Sequence, residues 1–246
     1  MSRRARLAYT GLWIAVVGGF VLALAPAGYR LGWWPLRVSL LWLIPASVVI
    51  GALAVTVSLV AAFLARRYSG ARGFGVALAG VLLGAVVGGY PVAHVIKARR
   101  VPPIHDITTD IANPPVFVAL AETRRGVPNG LDYEGDKLAE LQKQAYPDVT
   151  TLHSALPPAE LFARAAQAAT DSGWEVVDAT PQEGRVEATA TTRWFGFKDD
   201  VVVRVRPVQD GSDLDMRSMS RIGRSDVGAN AARIRTFMER LRAAGA

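Results

Sequence analysis

The chain has no cysteine among its 246 residues, which excludes disulfides, thiolate nucleophiles and cysteine-held metal. The first hundred residues contain no Asp or Glu, yet they hold eleven Lys or Arg. Residues 101–246 hold seventeen basic and twenty-one acidic residues, so the formal charge of +7 belongs to the first part. Those basic residues flank apolar runs and form no stripe or patch, which argues against a nucleic-acid partner. The scarcity of acidic and basic groups inside the apolar runs also argues against an ion or proton path.

What is present in the first hundred residues is oil. Residues 7–25, 38–65 and 74–96 are three runs without a charged residue. A helix rises about 1.5 Å per residue, so about 20 residues cross a hydrocarbon core. The reading is a membrane α-helical anchor of three transmembrane helices over residues 1–100. Ala23-Leu24-Ala25 has the look of a signal cleavage site, but Pro26 would follow the cut and two more runs come after it. The first run is therefore expected to be a retained helix.

Alternation of the spans puts Arg3, Arg4, Arg6, Arg66, Arg67 and Arg72 on one side. Arg30, Arg37, Lys97, Arg99 and Arg100 fall on the other. The positive-inside rule favours the first set as cytoplasmic. The expectation is a multi-pass protein of the bacterial inner (plasma) membrane, N-terminus cytoplasmic and C-terminal domain periplasmic. Trp33 and Trp34, with Tyr29, fit a membrane-interface belt. Gly80, Gly84 and Gly88 recur every four residues and share one helix face, which suits close helix packing. That seam is expected inside the three-helix bundle; a complex with another chain through the same face is the alternative. His94 reads as an interfacial histidine.

Residues 101–153 are rich in Pro, Asp and Asn, but Ile104, Ile107, Ile111, Phe117, Leu120, Leu138, Leu141 and Tyr146 recur among them. This is a Pro-rich strap packed on a domain, with short helices expected at 116–123 and Asp136–Ala145. Residues 154–246 read as the α+β extracytoplasmic domain. Pro158 suits the first turn of a helix over Pro158–Asp171. Period-two alternation predicts strands at 174–179, 185–193, 200–208 and 212–220, with Asp210-Gly211 as a hairpin signal. A last amphipathic helix is predicted over 227–243. The fold class is thus a two-layer sandwich: a four-stranded antiparallel sheet with helices on one face.

No catalytic constellation and no metal or cofactor site emerges. His105, Asp106 and Asp110 are ligand types, but ordinary turn groups as well, and no second histidine lies close. His153-Ser154 lacks a third partner. The turn after the last strand carries Ser220, Arg221, Arg224 and Ser225 beside a helix N-terminus, an anion-binding arrangement to which Arg217 on the polar sheet face could add. The structural alternative is a capped helix with the arginines paired to sheet carboxylates. Trp194, Phe195 and Phe197 form an aromatic hairpin tip that would meet the membrane interface, gate an apolar pocket or be covered by the strap. Asn230 lies on the apolar face of the last helix and is expected to fasten the turn or the strap.

Pro102-Pro103-Ile104-His105-Asp106-Ile107-Thr108-Thr109-Asp110, Asn113-Pro114-Pro115, Tyr146-Pro147-Asp148, the block 184–207 and Ser220-Arg221-Ile222-Gly223-Arg224-Ser225-Asp226 resemble the bacterial "domain of unknown function 1499" family. The resemblance covers about residues 101–240. It implies that the strap belongs with the domain. It carries no reaction and no catalytic residue. The expected function is a membrane-held module that binds an acidic lipid, an envelope component or a protein partner without catalysis. The alternatives are a structural subunit of a membrane complex and a hydrolase using His105 and Asp106. Oligomeric state is left open.

Overall fold

The computed structural model describes the backbone of residues 3–68 and 70–246, and the side chains of residues 6–65 and 73–246. The chain divides into two compact units. One is Met1–Lys97 with Trp194–Gly196; the other is Ala98–Arg193 with Phe197–Ala246. The strap therefore belongs to the sheet unit.

The first unit is helical. Helix α1 spans Arg3–Arg30. A short α2, Leu36–Val38, runs through a π-helical turn, Ser39–Leu43, into α3, Ile44–Tyr68. Helix α4 spans Gly70–Arg100. Three stretches, Arg6–Arg30, Leu36–Ala65 and Gly73–Arg100, are long and apolar enough to cross a membrane. At about 1.5 Å per residue each exceeds the ~30 Å hydrocarbon core. The side chains of Arg3, Arg4, Arg66, Arg67 and Arg72, which carry most of the sidedness argument, lie outside the described residues.

Glycine sets the packing of these helices. A Cβ on Gly51 would lie 2.7 Å from the Gly88 nitrogen and 2.8 Å from the Gly84 carbonyl oxygen. A Cβ on Gly84 would lie 2.9 Å from the Gly51 carbonyl oxygen. Gly80 and Gly11 leave room between them for the buried Ser58 side chain. Among the described residues the Gly80, Gly84 and Gly88 face packs against α3 and α1. Within the same unit Trp34 lies over Gly28 and its Nε1 donates to Ser39 Oγ (2.9 Å), while Ser39 Oγ donates to the Ala25 carbonyl (2.6 Å). A polar group inside an apolar helix pair needs such a partner. Trp33 stays exposed, edge-on to Trp34.

The second unit is an α+β sandwich. Its sheet has six strands: β1 Asp106–Thr108, β2 Leu152–Ser154, β3 Glu175–Thr180, β4 Arg185–Thr191, β5 Lys198–Val208 and β6 Gly211–Ser220. The order is β1-β6-β5-β4-β3, with β2 also on β6, and every pairing is antiparallel. The expected count of four is corrected by β1 and β2, which the strap contributes to one edge. Three-residue strands are too short to show an alternating pattern. Helices α6, Pro158–Asp171, and α7, Ala229–Ala243, cover one face. Their Leu161, Phe162, Ile234 and Phe237 pack on Val186, Val203, Leu214 and Met216 in one apolar core. Helix α5, Asp136–Ala145, adds Leu138 to it.

Two local expectations shift. Residues 116–123 form a bend and turns rather than a regular helix, and the amides of Val118, Ala119 and Leu120 donate to the Glu187 carboxylate. The β5–β6 loop is Gln209-Asp210, since Gly211 already pairs with Val208. Gly211 has φ 137° and abuts the Ser154 carbonyl, so close approach of the strap fixes the glycine there.

If glycine contact holds the helices together, Gly51→Leu and Gly84→Leu should each destabilise the detergent-solubilised chain by at least ~2 kcal/mol in thermal unfolding. Gly89→Leu, at an open position, should leave the melting temperature unchanged.

Candidate functional site

The second sheet face, polar in sequence, is not bathed in solvent. The strap between Pro114 and Tyr133 lies over it and brings Phe117 and Leu120 onto Val202 and Met219. Beneath that cover sit two buried arginines. Arg124 Nη1 donates to Asp200 Oδ2 (2.7 Å), and Nη2 donates to the carbonyls of Asn129 (3.1 Å) and Gly130 (3.3 Å). Arg217 grips Asp106 through Nε to Oδ1 (2.9 Å) and Nη2 to Oδ2 (2.7 Å), and also reaches the carbonyls of Pro115 (3.3 Å) and Leu131 (3.0 Å). The Phe117 ring lies 5.5 Å from the Arg124 guanidinium and 5.4 Å from that of Arg217. Each guanidinium therefore answers a carboxylate, strap carbonyls and an aromatic face at once, as a planar five-donor group allows.

Further carboxylates complete the network. Glu187 accepts from the three strap amides and from Arg185. Asp215 accepts from Thr151 (2.6 Å), Arg204 (2.9 Å) and Arg206 (2.7 Å). Burial alone would raise the Asp215 pKa, but the Thr151 hydroxyl and the two guanidiniums outweigh it and hold the carboxyl below its ordinary value. Tyr133, packed 5.6 Å from the Arg217 guanidinium, has its phenol pushed up to about 12 by burial and the Asp106 charge.

The residues singled out in the 220–226 turn separate into distinct roles. Arg221 Nε and Nη2 donate to Asp200 (2.9 and 2.8 Å), and Nη2 also reaches Thr189. Arg217 is buried in the network just described. Ser220 Oγ accepts from Asn230 Nδ2 (3.1 Å), and Ser225 Oγ accepts from the Val227 amide (3.2 Å). Arg224 alone of the five is exposed, with no ion pair among the described residues. At the start of α7, Asp226 accepts from the amides of Gly228 (2.7 Å) and Asn230 (2.7 Å). The positive end of that helix is thus met by the chain's own carboxylate. Burial raises the Asp226 pKa against those two amide bonds. Val227 and Gly228 take positive φ, 55° and 79°, which starts α7 at Ala229, two residues later than its apolar spacing suggests.

Asn230 is fully buried and joins three elements. Its Nδ2 donates to the His105 carbonyl (2.8 Å) as well as to Ser220, and its Oδ1 accepts from Ser218 (2.8 Å) and Arg233. Gln142 on α5 closes the outer edge of β1: its Nε2 donates to the Thr108 carbonyl (2.6 Å) and its Oε1 accepts the Thr108 amide (3.0 Å). Sequence reading passed over Arg124, Asn129, Gln142 and Asp200. The signal was there in part, since Arg124 closes a stretch with Phe117 and Leu120 in a segment already read as packed.

The other candidates are not brought together. Asp106 has both oxygens on Arg217, and His105 Nε2 lies 4.0 Å from Glu134, so the pair shares no cleft. In β2 the burial alternates: His153 points outward to Asp213 (2.6 Å), while Ser154 is buried and accepts the Leu156 amide. Trp194 stacks on Tyr90 with centroids 5.3 Å apart, and Phe195 lies 6.1 Å from Tyr29, all within the helical unit. Phe197 belongs to the sheet unit, where its amide donates to Thr192 Oγ1 (2.9 Å).

Apolar helices of spanning length joined to an α+β domain with a charge-riveted strap define a membrane-helix-linked α+β protein. The model of one family, described as "Protein of unknown function (DUF1499)", matches residues 106–241, and the chain belongs to that family. The match takes in the strap from β1 onward, as the fold does. No curated protein and no solved structure matches the chain.

Removing Asp200 strands Arg124 and Arg221 together, so Asp200→Ala should cost about 3–5 kcal/mol in unfolding. Arg224→Ala should change stability by less than ~0.5 kcal/mol. The lowered Asp215 pKa gives stability that is present above the ordinary carboxylate range and is lost as pH falls through the folded-state value. Asp215→Asn should therefore be less stable than the parent at neutral pH and show a flatter acid limb in a pH series of thermal melts.

Proposed function

We propose that this chain is a multi-pass protein of the bacterial inner membrane whose α+β module lies outside the cytoplasm and acts by binding a protein partner, without catalysis. The observation that carries this reading is the contrast between the module's two sheet edges. The β1 edge is closed by the Gln142 amide. The β3 edge has no neighbouring strand among the described residues, and its Val176 and Val177 are 37% and 46% exposed. Val116 and Val118, 68% and 56% exposed, stand on the strap turn whose amides hold Glu187, the residue opposite Asp178 of β3. An open edge offers unpaired N–H and C=O groups to an added strand, and apolar neighbours supply side-chain contact. The internal neutralisation of the buried charges supports the non-catalytic part, since a general acid or base must face a substrate cavity.

An acidic ligand at the 220–226 turn is the second reading. Arg224, exposed and unpaired among the described residues, is the residue it rests on, because Arg217, Arg221, Ser220 and Ser225 hold internal partners.

A photo-reactive residue placed at Val177 of the full chain in native membranes is expected to give one discrete protein adduct, and one at Gln167 on α6 none. Val177→Lys should abolish the adduct formed from Val118. Equal, diffuse labelling from Val177 and Gln167 would remove the edge as the contact. For sidedness, the chain has no native cysteine to interfere. Asp210→Cys is expected to react with a membrane-impermeant maleimide in right-side-out vesicles; reaction only in inside-out vesicles would reverse the topology.

A further inference from the structure

Along α1 and α3 the helical unit carries an open groove of about 560 Å³. Its walls are Thr10, Trp13, Ile14 and Val17 of α1 with Ile50 and Leu53 of α3, and its polar end is marked by Arg6 and Tyr9. The volume lies within the range of about 300–1,000 Å³ typical of small-molecule sites. From Arg6 to Val17 the groove follows about 16 Å of helix at the α-helical rise. Such a length suits one extended hydrocarbon chain lying parallel to the helix axes. The aromatic rim is available to it, since Trp13 is 65% exposed and Tyr9 44%.

Charge selects the rest of the occupant. Arg6 is exposed, has no ion pair among the described residues, and belongs to a hundred-residue stretch without a single Asp or Glu. A guanidinium at the mouth of an otherwise apolar groove, at the start of a membrane-spanning stretch, matches a phosphate at the headgroup level. A neutral apolar molecule would leave that cation unanswered, and a water-soluble anion would leave the walls unfilled. We propose that the α1–α3 groove is a binding site for one anionic phospholipid, its acyl chain between Trp13, Val17, Ile50 and Leu53 and its phosphate on Arg6. The site is independent of whatever the α+β module binds.

The test is native mass spectrometry of the delipidated full chain in mild detergent, titrated with phosphatidylglycerol or with phosphatidylcholine of the same acyl chains. One phosphatidylglycerol should be retained about tenfold more tightly than phosphatidylcholine, whose phosphate is the same but whose choline cation competes with Arg6 for it. Arg6→Ala should remove that preference while leaving weak binding of both lipids. Val17→Trp should fill the groove and abolish retention of both; Leu82→Trp, exposed on α4, should leave the parent pattern. Equal retention of the two lipids by the parent, or an unchanged preference in Arg6→Ala, would overturn the proposal. So would a photo-crosslink from Val17 that reaches protein or a second copy of the chain instead of lipid.

Discussion

Two guanidiniums taken out of water fasten the strap across the charged face of the sheet unit. Arg124 comes from the strap and Arg217 from β6, and their carboxylate partners come from the opposite elements: Asp200 from β5, Asp106 from β1. The pairs therefore run across the join between strap and sheet in both directions. A buried ion pair is weak evidence of net stability, because desolvation offsets most of the Coulomb attraction. What the pairs supply is a complete set of partners for the strap's polar groups. Between Pro114 and Tyr133 the strap buries only Phe117 and Leu120 as apolar side chains, while its ends are held in the main core through Ile104, Ile107 and Leu152. In the observed seating both arginines have a carboxylate, and the carbonyls of Pro115, Asn129, Gly130 and Leu131 have a donor.

The two units solve the same problem by opposite means. In the helical unit there are no acidic residues and few polar groups, so cohesion comes from backbone approach at Gly51, Gly84 and Gly88. In the sheet unit one face is a conventional apolar core under α6 and α7, while the other is charged and largely covered by the strap. An alternating strand pattern identifies which side chains share a face. It does not say whether that face meets water, and here the arginines and carboxylates of β4, β5 and β6 meet a strap.

Much of this was open to sequence reading. The apolar runs mark the three long helices, because length without charge has one ordinary explanation. The alternation through Val201, Val203 and Val205 marks β5, and the apolar stripe of Ile234, Phe237 and Leu241 marks α7. The strap's attachment is foreshadowed by its spaced isoleucines and by the family resemblance. Strands β1 and β2 were hidden because three residues carry no period. The turns at 116–123 have no local signature, since the group that accepts the amides of Val118, Ala119 and Leu120 is Glu187, far along the chain. The arrangement of the 220–226 turn was hidden for a related reason. Arg221 and Arg224 are indistinguishable in sequence, and only the position of Asp200 separates a riveted side chain from a free one. Such pairings are set by tertiary geometry and not by spacing along the chain.

The length of chain between the paired groups has a kinetic meaning. Asp106 and Arg217 are 111 positions apart, and Arg124 and Asp200 are 76 apart. Contacts so remote are slow to form, since loop closure comes before any reward. A ribosome makes β1 directly after α4 and makes β6 only after β2 to β5. Until β6 is made, Asp106 has no Arg217 to pair with, so the strap's charged groups stay in water and its seat on the sheet cannot be completed.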